Sequence, residues 1–522
     1  MSEHAVVRTE SLGGSPLSRA ARNGELSRWY RSTPDGDQWT QYVRDVAGSV
    51  SADWLDDLRG AIAPTGRALS RLGKSAGGKG AVITTGQQPG LFGGPLMTLI
   101  KAISARALAD ELTEKTGVPV APLFWSATDD ADFDEAAVVS VAVDGGVKQL
   151  RLEQRTPVGT PMTRVPINSE IDAQAAILRE ACGSAPHRSF LEAALASFSD
   201  GATIGDAYTS LLRTILEPLE MAVLDASHPD VARRAAPLLR KAAANGEAIA
   251  SAAHKRIEEI VAASYKPQVE EVPGLSMVFL NSNGTKRRLP LKEAATIADA
   301  RDAFLSATVL LRPVIERAIV PSAAYVAGPG EFAYFAQVSA VAESLGVANP
   351  FVVPRWSASI VEPQVQRILN DFGLEIGDLV DPHAADTRIA RARLSPEAAQ
   401  TLETLRGDLR RGVEGLRRTG DGLVPDRALE GLQRSIEHRL ERTERRFLAG
   451  VKRAESDAMR RLATARGSLF PHGAKQERKL AYIPFLARYG PELLEQLLDG
   501  ARKHAKAIVG ATVEHAATVA SR

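Results

Sequence analysis

The sequence is poor in residues that would place it in a specialised chemical class. Cys182 is the one cysteine among 522 residues, so no disulfide can form within a chain and a reducing compartment is expected. We interpret Cys182 as an ordinary buried or half-buried thiol. The nine histidines are dispersed, and paired C-x-x-C, H-E-x-x-H and G-x-S-x-G motifs are missing. This pattern argues against zinc and serine-hydrolase chemistry.

An excess of charge and long apolar runs are also missing. The 64 Lys and Arg residues nearly cancel the 63 Asp and Glu residues, leaving a formal net charge of +1. Such a balance predicts no general attraction to nucleic acid or anionic lipid. No run reaches the roughly 18 apolar residues of a membrane span, and residues 1–11 lack the apolar stretch of a signal peptide. We therefore expect a cytoplasmic protein that binds neither membrane nor nucleic acid.

What is present is the pattern of an α/β core. Residues 80–85 form a short β-branched run, residues 86–94 are rich in Gly and Pro, and apolar residues then recur at helical spacing over 96–108. A second buried-strand candidate covers 118–125, so this region predicts a βαβ unit with parallel strands. Residues 324–354 repeat the pattern.

Other segments are typical of insertions into this core. Residues 276–280 and 286–289 flank an Asn- and Gly-containing turn and predict a β-hairpin. Helical stretches are expected near 171–215 and 229–263. Given the length of the chain, we expect one interrupted domain or two to three domains. The predicted division is 1–144, the first part of the core; 145–300, insertions; 301–390, the second part of the core; 391–466, a helical hairpin; and 467–522, a helical return.

The helical hairpin is predicted from an apolar spacing of 3, 4 and 4 residues. Ser395 and Pro396 are start signals for its first helix, and a turn near 419–426 leads to a second helix that continues to Leu462. An 11-residue repeat favours a nearly straight antiparallel pair. Its many Arg residues alternate with Asp and Glu, which is typical of a solvated face, with RNA binding as the alternative.

Three clusters are candidates for a site. The first is the loop between the first strand and helix, which contains Gly86, Gln87, Gln88, Gly90, Gly93 and Gly94. Bare amides at a helix N-terminus favour an anion, and the alternative is a plain tight turn. Lys101 lies two turns into the helix, where a lysine is usually solvated.

The second cluster is the acidic run that follows the second strand and includes Asp129, Asp130 and Asp132. Open α/β sheets place ligands at this edge, so the run could bind a cation, steer an amine or act as a base. The alternative is a solvated loop that caps the next helix.

The third cluster is the turn Gly328-Pro329-Gly330, which leads into a helix with Glu331 in its first turn. A carboxylate there would repel phosphate, so we expect capping or contact with a cationic or hydroxyl group. Arg312, Arg355 and Arg478 are candidate phosphate clamps, and surface ion pairs are the alternative.

Four strings resemble the cysteine ligase family of bacillithiol biosynthesis, the BshC family. They are TGQQPGLFGGPL (85–96), FWSATDDADFDE (124–135), AGPGEFAY (327–334) and FPHGAKQER (470–478), with LLRP (310–313) and VPR (353–355) between them. The resemblance runs from about residue 80 to about residue 500. It implies an α/β fold with a Rossmann-like parallel-sheet core, connecting-peptide insertions and an antiparallel α-helical coiled-coil hairpin through which the protein forms a homodimer.

The resemblance also implies an activity, in which cysteine is joined through its carboxylate to the amine of glucosaminyl-malate. ATP is expected to activate the acyl group, with ADP as a related ligand; a need for magnesium and the choice of acyl phosphate or adenylate stay open. The implied catalytic residues are Asp129, Asp130 and Asp132. The implied substrate or anion ligands are Gly86, Gln87, Gln88, Gly90, Gly93, Gly94, Lys101, Gly328, Gly330, Glu331, Tyr334 and Arg355, and the implied nucleotide ligands are Lys475, Gln476 and Arg478.

The sequence departs from the family at two positions, since similar sequences usually have His at the positions of Ile100 and Ala131. Both are candidate acid, base or phosphate-contacting groups. Two alternatives therefore remain beside the family reaction: a nucleotide-binding coiled-coil dimer without ligase activity, and a diverged amide-forming ligase with another amine substrate. A synthetase relative that uses the Arg-rich hairpin on RNA is a further alternative.

Overall fold

Apolar runs broken by Gly- and Pro-rich turns form twelve strands in the computed structural model, which describes residues 4–282, 284–300, 303–420 and 422–510. The strands are β1 (Val6–Thr9), β2 (Ala81–Gln87), β3 (Val120–Ser126), β4 (Val138–Val143), β5 (Gly146–Arg151), β6 (Ala222–Asp225), β7 (Leu275–Ser282), β8 (Thr285–Pro290), β9 (Leu305–Ala307), β10 (Ser322–Ala327), β11 (Val352–Pro354) and β12 (Ala358–Val361).

The same ranges contain twenty-two α-helices. They are α1 (Pro16–Arg22), α2 (Gln38–Gly48), α3 (Trp54–Asp57), α4 (Arg59–Ile62), α5 (Gly66–Gly77), α6 (Leu96–Thr116), α7 (Phe133–Ala136), α8 (Ile171–Cys182), α9 (Arg188–Ser197), α10 (Ile204–Leu216), α11 (Pro229–Ala244), α12 (Gly246–Ala262), α13 (Leu291–Ile297), α14 (Arg312–Ile319), α15 (Pro329–Ser344), α16 (Pro363–Phe372), α17 (Pro382–Ala392), α18 (Pro396–Thr419), α19 (Asp426–Ala454), α20 (Ser456–Leu469), α21 (Gln476–Lys479) and α22 (Ile483–Gly510).

The chain divides into two units. Unit 1 contains Met1–Val141, Lys148–Ile360 and Gln476–Arg522, and unit 2 contains Ala142–Val147 and Val361–Lys475. None of the helices in the described part of the chain combines the length and apolar character that a membrane crossing requires.

The core of unit 1 is a five-stranded sheet in the order β11-β10-β2-β3-β6, and all four neighbouring pairs are parallel. Both predicted βαβ units are confirmed: β2, α6 and β3 form the first, and β10, α15 and β11 form the second. The chain leaves β2 toward one edge of the sheet and leaves β10 toward the other. The strand order therefore reverses between β2 and β10, and such a point leaves a crevice outside the carboxyl ends of the strands.

The crossover helices of this sheet are buried on nearly every face. In α6, fourteen of the twenty-one residues are buried, since the helix packs against β2 and β3 on one side and α22 on the other. A helix that is covered all round is apolar all round, and this burial explains why a polar residue inside α6 needs a partner. Cys182, at the end of α8, is buried as predicted, and burial raises the pKa of its thiol to about 11.

The predicted β-hairpin is confirmed as β7 and β8, which pair antiparallel and are joined by β9 in the order β8-β7-β9. Position 283 of its turn lies outside the described residues. Phe279 is opposite Arg288, and Asn281 is opposite Lys286. Because side chains alternate along a strand, Lys286 and Arg288 share one face of β8.

Unit 2 contains the helical hairpin, in which α18 packs along α19. The hydroxyl of Ser395 accepts a hydrogen bond from the backbone N–H of Ala398 at 3.2 Å, which confirms the predicted start of the first helix. The second helix was predicted to continue to Leu462, but it breaks at Glu455, whose backbone (φ −94°, ψ 41°) leaves the helical region. Two helices, α19 and α20, result.

Four arginines of the hairpin, Arg406, Arg410, Arg411 and Arg417, pair with its acids. Arg406 contacts Glu403, three residues earlier, at 2.7 Å, and it also reaches Glu444 on the opposite helix. Glu444 in turn contacts Arg391 at 3.0 Å. These pairs support the predicted solvated, ion-paired face.

Candidate active site

A cleft of about 730 Å³ lies at the point where the strand order reverses. It is bounded by the loops that follow β2, β3 and β10, and by the β7–β8 hairpin. The predicted residues in its wall are Gly86, Gln87, Gln88, Lys101, Asp129, Asp130, Asp132, Arg312, Gly328, Gly330, Glu331, Tyr334, Arg355 and Arg478. Residues from distant parts of the sequence are thus brought into one cavity.

Lys101 is buried at the floor of the cleft, with 1% of its surface exposed, and not solvated as a helix lysine usually is. Its ammonium donates to the backbone oxygen of Gly86 and lies 2.7 Å from a carboxylate oxygen of Glu331. The ion pair therefore joins the loop after β2 to the helix after β10. This ion pair holds the two sides of the crevice together at the point where the strand order reverses.

Glu331 caps its own helix, as predicted. Its carboxylate accepts hydrogen bonds from the backbone N–H of Gly328 at 2.7 Å and from the hydroxyl of Tyr325 at 2.6 Å. Burial alone would raise the pKa of Glu331, but the charge of Lys101 and these hydrogen bonds outweigh that effect and hold it below its ordinary value. Glu331 is thus a fixed negative charge at neutral pH.

The acidic loop presents its carboxylates in different directions. Asp130 accepts from the side-chain amide of Gln88 at 2.7 Å, which ties the loop after β3 to the loop after β2. Asp132 accepts from the backbone N–H of Glu135 and starts α7, so the capping interpretation applies to it as well. Asp134 turns away from the cleft wall and pairs with Arg151 at 2.9 Å.

Glu135 also lies in the cleft wall, although it was not among the catalytic residues inferred from the sequence. Desolvation in the cleft raises the pKa of Glu135, and the negative charges of Asp132 and Asp130 raise it further. A carboxylate with a raised pKa is a stronger base than a solvated one, which suits it to accept a proton. In the sequence, Glu135 could have been found as the last carboxylate of the acidic run.

Gly90, Gly93 and Gly94 are buried and are not part of the cleft wall. Gly93 has a φ of +89°, and a Cβ there would lie 2.1 Å from the hydroxyl oxygen of Tyr482. The first amide of α6, that of Leu96, donates to the backbone oxygen of Leu480 at 2.7 Å. Close packing against Tyr482 therefore explains Gly93, and the close approach of Gly90 to Gly94 explains that pair. The cleft meets the loop through Gly86, Gln87 and Gln88 instead.

Arg355 is buried in an ion pair and is not a free phosphate clamp. Its guanidinium makes two hydrogen bonds to the carboxylate of Glu477, at 2.6 and 2.8 Å, and the two side chains are 2% and 3% exposed. This pair connects the loop after β11 to α21, which places Arg478 in the cleft wall.

The other two predicted nucleotide ligands have different surroundings. The side chain of Gln476 is bound to both backbone groups of Ile360, at 2.7 and 2.9 Å, and is 1% exposed. Lys475 belongs to unit 2. Of the three residues, only Arg478 lies in the wall of this cleft.

The β7–β8 hairpin supplies cations that sequence reasoning missed. Lys286 lies 3.7 Å from the carboxylate of Asp129 and over the ring of Phe279, and Arg288 lines the same wall. The sequence predicted that side chains alternate along this strand, which places Lys286 and Arg288 on one face. Only the folded hairpin shows that this face meets the acidic loop.

The cleft therefore joins two kinds of charge. Lysines and arginines suit phosphate or carboxylate groups, while Asp130, Asp132 and Glu135 suit an amine. Within the described residues, no three His, Cys, Asp or Glu side chains converge as a metal site would require. Ala131 lies in the wall without a titratable group, whereas Ile100 is fully buried outside it.

Two family models match nearly the whole chain. Residues 22–356 match the model described as "Bacillithiol biosynthesis BshC, N-terminal Rossmann-like domain". Residues 358–507 match "Bacillithiol biosynthesis BshC, C-terminal coiled-coil domain".

Curated relatives carry one name, "Putative cysteine ligase BshC". The protein of Solibacter usitatus is 31% identical over 481 residues, which cover 87% of this chain and 89% of the relative. That of Koribacter versatilis is 30% identical and covers 86% of each. That of Geobacillus thermodenitrificans is 30% identical, with 85% of this chain and 87% of the relative covered.

Proposed function

The chain belongs to the BshC family of bacillithiol biosynthesis, and from this premise we infer that it is an ATP-dependent ligase that joins cysteine to glucosaminyl-malate. The predicted family and the Rossmann-like fold with a coiled-coil domain are confirmed by the same matches. The observation that carries the proposed reaction is the cleft between β2 and β10, where cationic and acidic side chains face one cavity.

The chemistry requires both kinds of charge. A free carboxylate does not acylate an amine in water, so ATP must transfer a phosphoryl or adenylyl group to the carboxylate oxygen of cysteine. The amine nitrogen then attacks the carbonyl carbon, the C–O bond to the phosphorus-bearing group breaks, and the nitrogen loses a proton. Lys286, Arg288 and Arg478 offset the negative charge of the phosphate groups. Asp130 orients the amine and Glu135 accepts its proton.

The proposal is tested by incubating purified protein with ATP, cysteine and glucosaminyl-malate. We expect a product whose mass equals that of cysteine plus glucosaminyl-malate minus water, and its formation should require all three reactants. Nucleotide binding without any cysteine-dependent product would instead support a nucleotide-binding protein without ligase activity, the alternative that the non-titratable side chain of Ala131 favours. The reaction uses ATP and a reduced thiol, and we therefore assign it to the cytoplasm.

We also propose that the hairpin of unit 2 mediates a homodimer. Large apolar side chains are exposed on both helices, including Leu405 and Leu416 on α18 and Leu432 and Phe447 on α19, with 43–52% of each exposed. Such residues on a surface otherwise covered by ion pairs mark an interaction site. A second copy of the same hairpin offers a complementary apolar surface.

Replacing Leu416 and Leu432 by Glu should convert the dimer to a monomer, because two charges would then be buried at each contact. The measurement is the molar mass by light scattering after gel filtration. The Gln400→Glu variant adds charge at an exposed polar position of α18 and should leave the dimer intact. A dimer that survives the double substitution would exclude this apolar surface as the interface.

A further inference from the structure

A second cavity in unit 1, the side cavity, lies next to the cleft, and none of the residues that take part in the proposed reaction line it. Its volume is about 750 Å³, which is within the range of small-molecule sites. The wall is formed by the ends of β3 and β6, the loop at 161–164, β9, α11 and α14. It shares Asp129, Ala307 and Arg312 with the cleft, so the two cavities meet at these residues.

The side cavity contains a buried donor without a partner. Trp125, in its wall, is 4% exposed, and its indole Nε1 has no hydrogen-bond acceptor among the described residues. An indole N–H is only a donor, and leaving it unpaired costs about 1–3 kcal/mol. A ligand oxygen that reaches this N–H would remove that cost.

The charges of the side cavity favour an anionic ligand. Arg164 and Arg312 both line it, against the single carboxylate of Asp129. That carboxylate already has Lys286 at 3.7 Å. The guanidinium of Arg312 contacts the hydroxyl of Tyr334 at 3.4 Å, which is a neutral partner. The guanidinium of Arg164 is therefore available to a ligand carboxylate, which it recognises through paired hydrogen bonds. Arg312, whose charge also interacts with Glu331 and Glu316, adds positive charge to the same wall.

The remaining wall suits the body of a sugar. Ser227 and Thr163 offer hydroxyl groups, while Ala235 and Leu239 of α11 supply an apolar side. Hydroxyl groups that alternate with a hydrophobic face match a pyranose ring, which has polar edges and apolar C–H faces.

We propose that this side cavity binds the amine substrate, a glycoside with carboxylates on its aglycone, and that the main cleft binds cysteine and the nucleotide. The carboxylates contact Arg164, beside the positive charge of Arg312, and the amine reaches the acyl group past Asp129 at the shared wall. This assignment rests on the proposed function, since it divides the substrates of that reaction between the two cavities.

The Arg164→Gln and Trp125→Phe variants test the assignment kinetically. Each should raise the KM for glucosaminyl-malate about 10- to 100-fold, the effect of losing a hydrogen bond to a charged or buried group. The KM values for ATP and cysteine should stay within about twofold, because those substrates occupy the other cavity. Arg164 is exposed, so its variant avoids the risk that Trp125→Phe destabilises the core.

The matched control is Arg155→Gln, an exposed arginine nine positions away that pairs with Glu170 at 3.1 Å and does not line the cavity. It should change none of the three KM values. A KM increase for ATP or cysteine in the Arg164 variant would overturn the assignment, and so would unchanged values for all three substrates.

Calorimetric titration of glucosaminyl-malate into the protein separates the two proposals. If the wild type makes no product but binds this compound, and Arg164→Gln weakens binding at least about tenfold, the ligase proposal fails and the binding site stands. If the wild type turns over with full binding in Arg164→Gln, the ligase proposal stands and the binding site fails. No binding of glucosaminyl-malate to the wild type would overturn the site outright.

Discussion

The Asp130→Asn variant should lose ligase activity by about 10²- to 10⁴-fold while remaining folded. The substitution keeps the shape of the side chain but removes the negative charge that orients the amine toward the acyl carbon, while Glu135 accepts the proton. The two oxygens of Asp130 accept hydrogen bonds from Gln88 at 2.7 Å and from the backbone N–H of Asp132 at 3.0 Å, and the single oxygen of Asn keeps one of them. The measurement is kcat for product formation at saturating substrates, with circular dichroism as the check on folding.

The control for this prediction comes from the same loop. Asp134 lies outside the cleft wall and pairs with Arg151 at 2.9 Å, with 81% of its side chain exposed. The Asp134→Asn variant should therefore keep its kcat within about twofold, because an exposed ion pair contributes little. Wild-type activity in Asp130→Asn would remove the acidic loop from the mechanism.

The Arg355→Met variant should destabilise unit 1 by about 3–5 kcal/mol. The substitution leaves the carboxylate of Glu477 buried at 3% exposure without its guanidinium partner. The cost comes from the uncompensated buried charge, since the pair itself is only weakly stabilising relative to apolar residues. All five tryptophans (Trp29, Trp39, Trp54, Trp125 and Trp356) belong to unit 1, so urea unfolding followed by tryptophan fluorescence reports on this unit.

A second substitution separates charge burial from lost packing. The Arg355→Met/Glu477→Met variant should recover most of the lost stability, because no unpaired charge is left. Arg59→Met, which breaks an exposed pair with Asp56, should cost about 0–1 kcal/mol. If the double variant is as unstable as the single one, packing of the long side chains is the main contribution of this site.

The parallel core was predictable because its signals are local. Each βαβ unit combines a β-branched run, a glycine-rich break and a helical spacing within about 45 residues, which is the length of the motif itself. The edge strand β6 was missed, since its four residues follow directly on a helical stretch and carry no periodicity of their own. Its place in the sheet comes from pairing with β3.

The contacts inside the cleft depend on distant partners and were less predictable. Lys101 fits the pattern of a solvated helix residue until Glu331, 230 positions later, is brought beside it. Similarly, Arg355 becomes a structural residue only because α21 brings Glu477 to it. The resemblance to the family identified the segments that meet in the cleft, but it could not distinguish side chains that face the cavity from those that support it.

The hydrogen bond from Leu96 to Leu480 has a consequence for biosynthesis. One side of the glycine bend at 90–94 is formed by residues 480–482, which are translated long after the bend and the whole parallel sheet. Domains begin to fold on the ribosome from the N-terminal end. A nascent chain that has reached residue 470 therefore already contains all five sheet strands but still leaves that edge of the bend uncovered. Polypeptides interrupted before that point would leave the bend, where the side chain of Phe92 is buried in the full chain, without the cover that residues 480–482 provide.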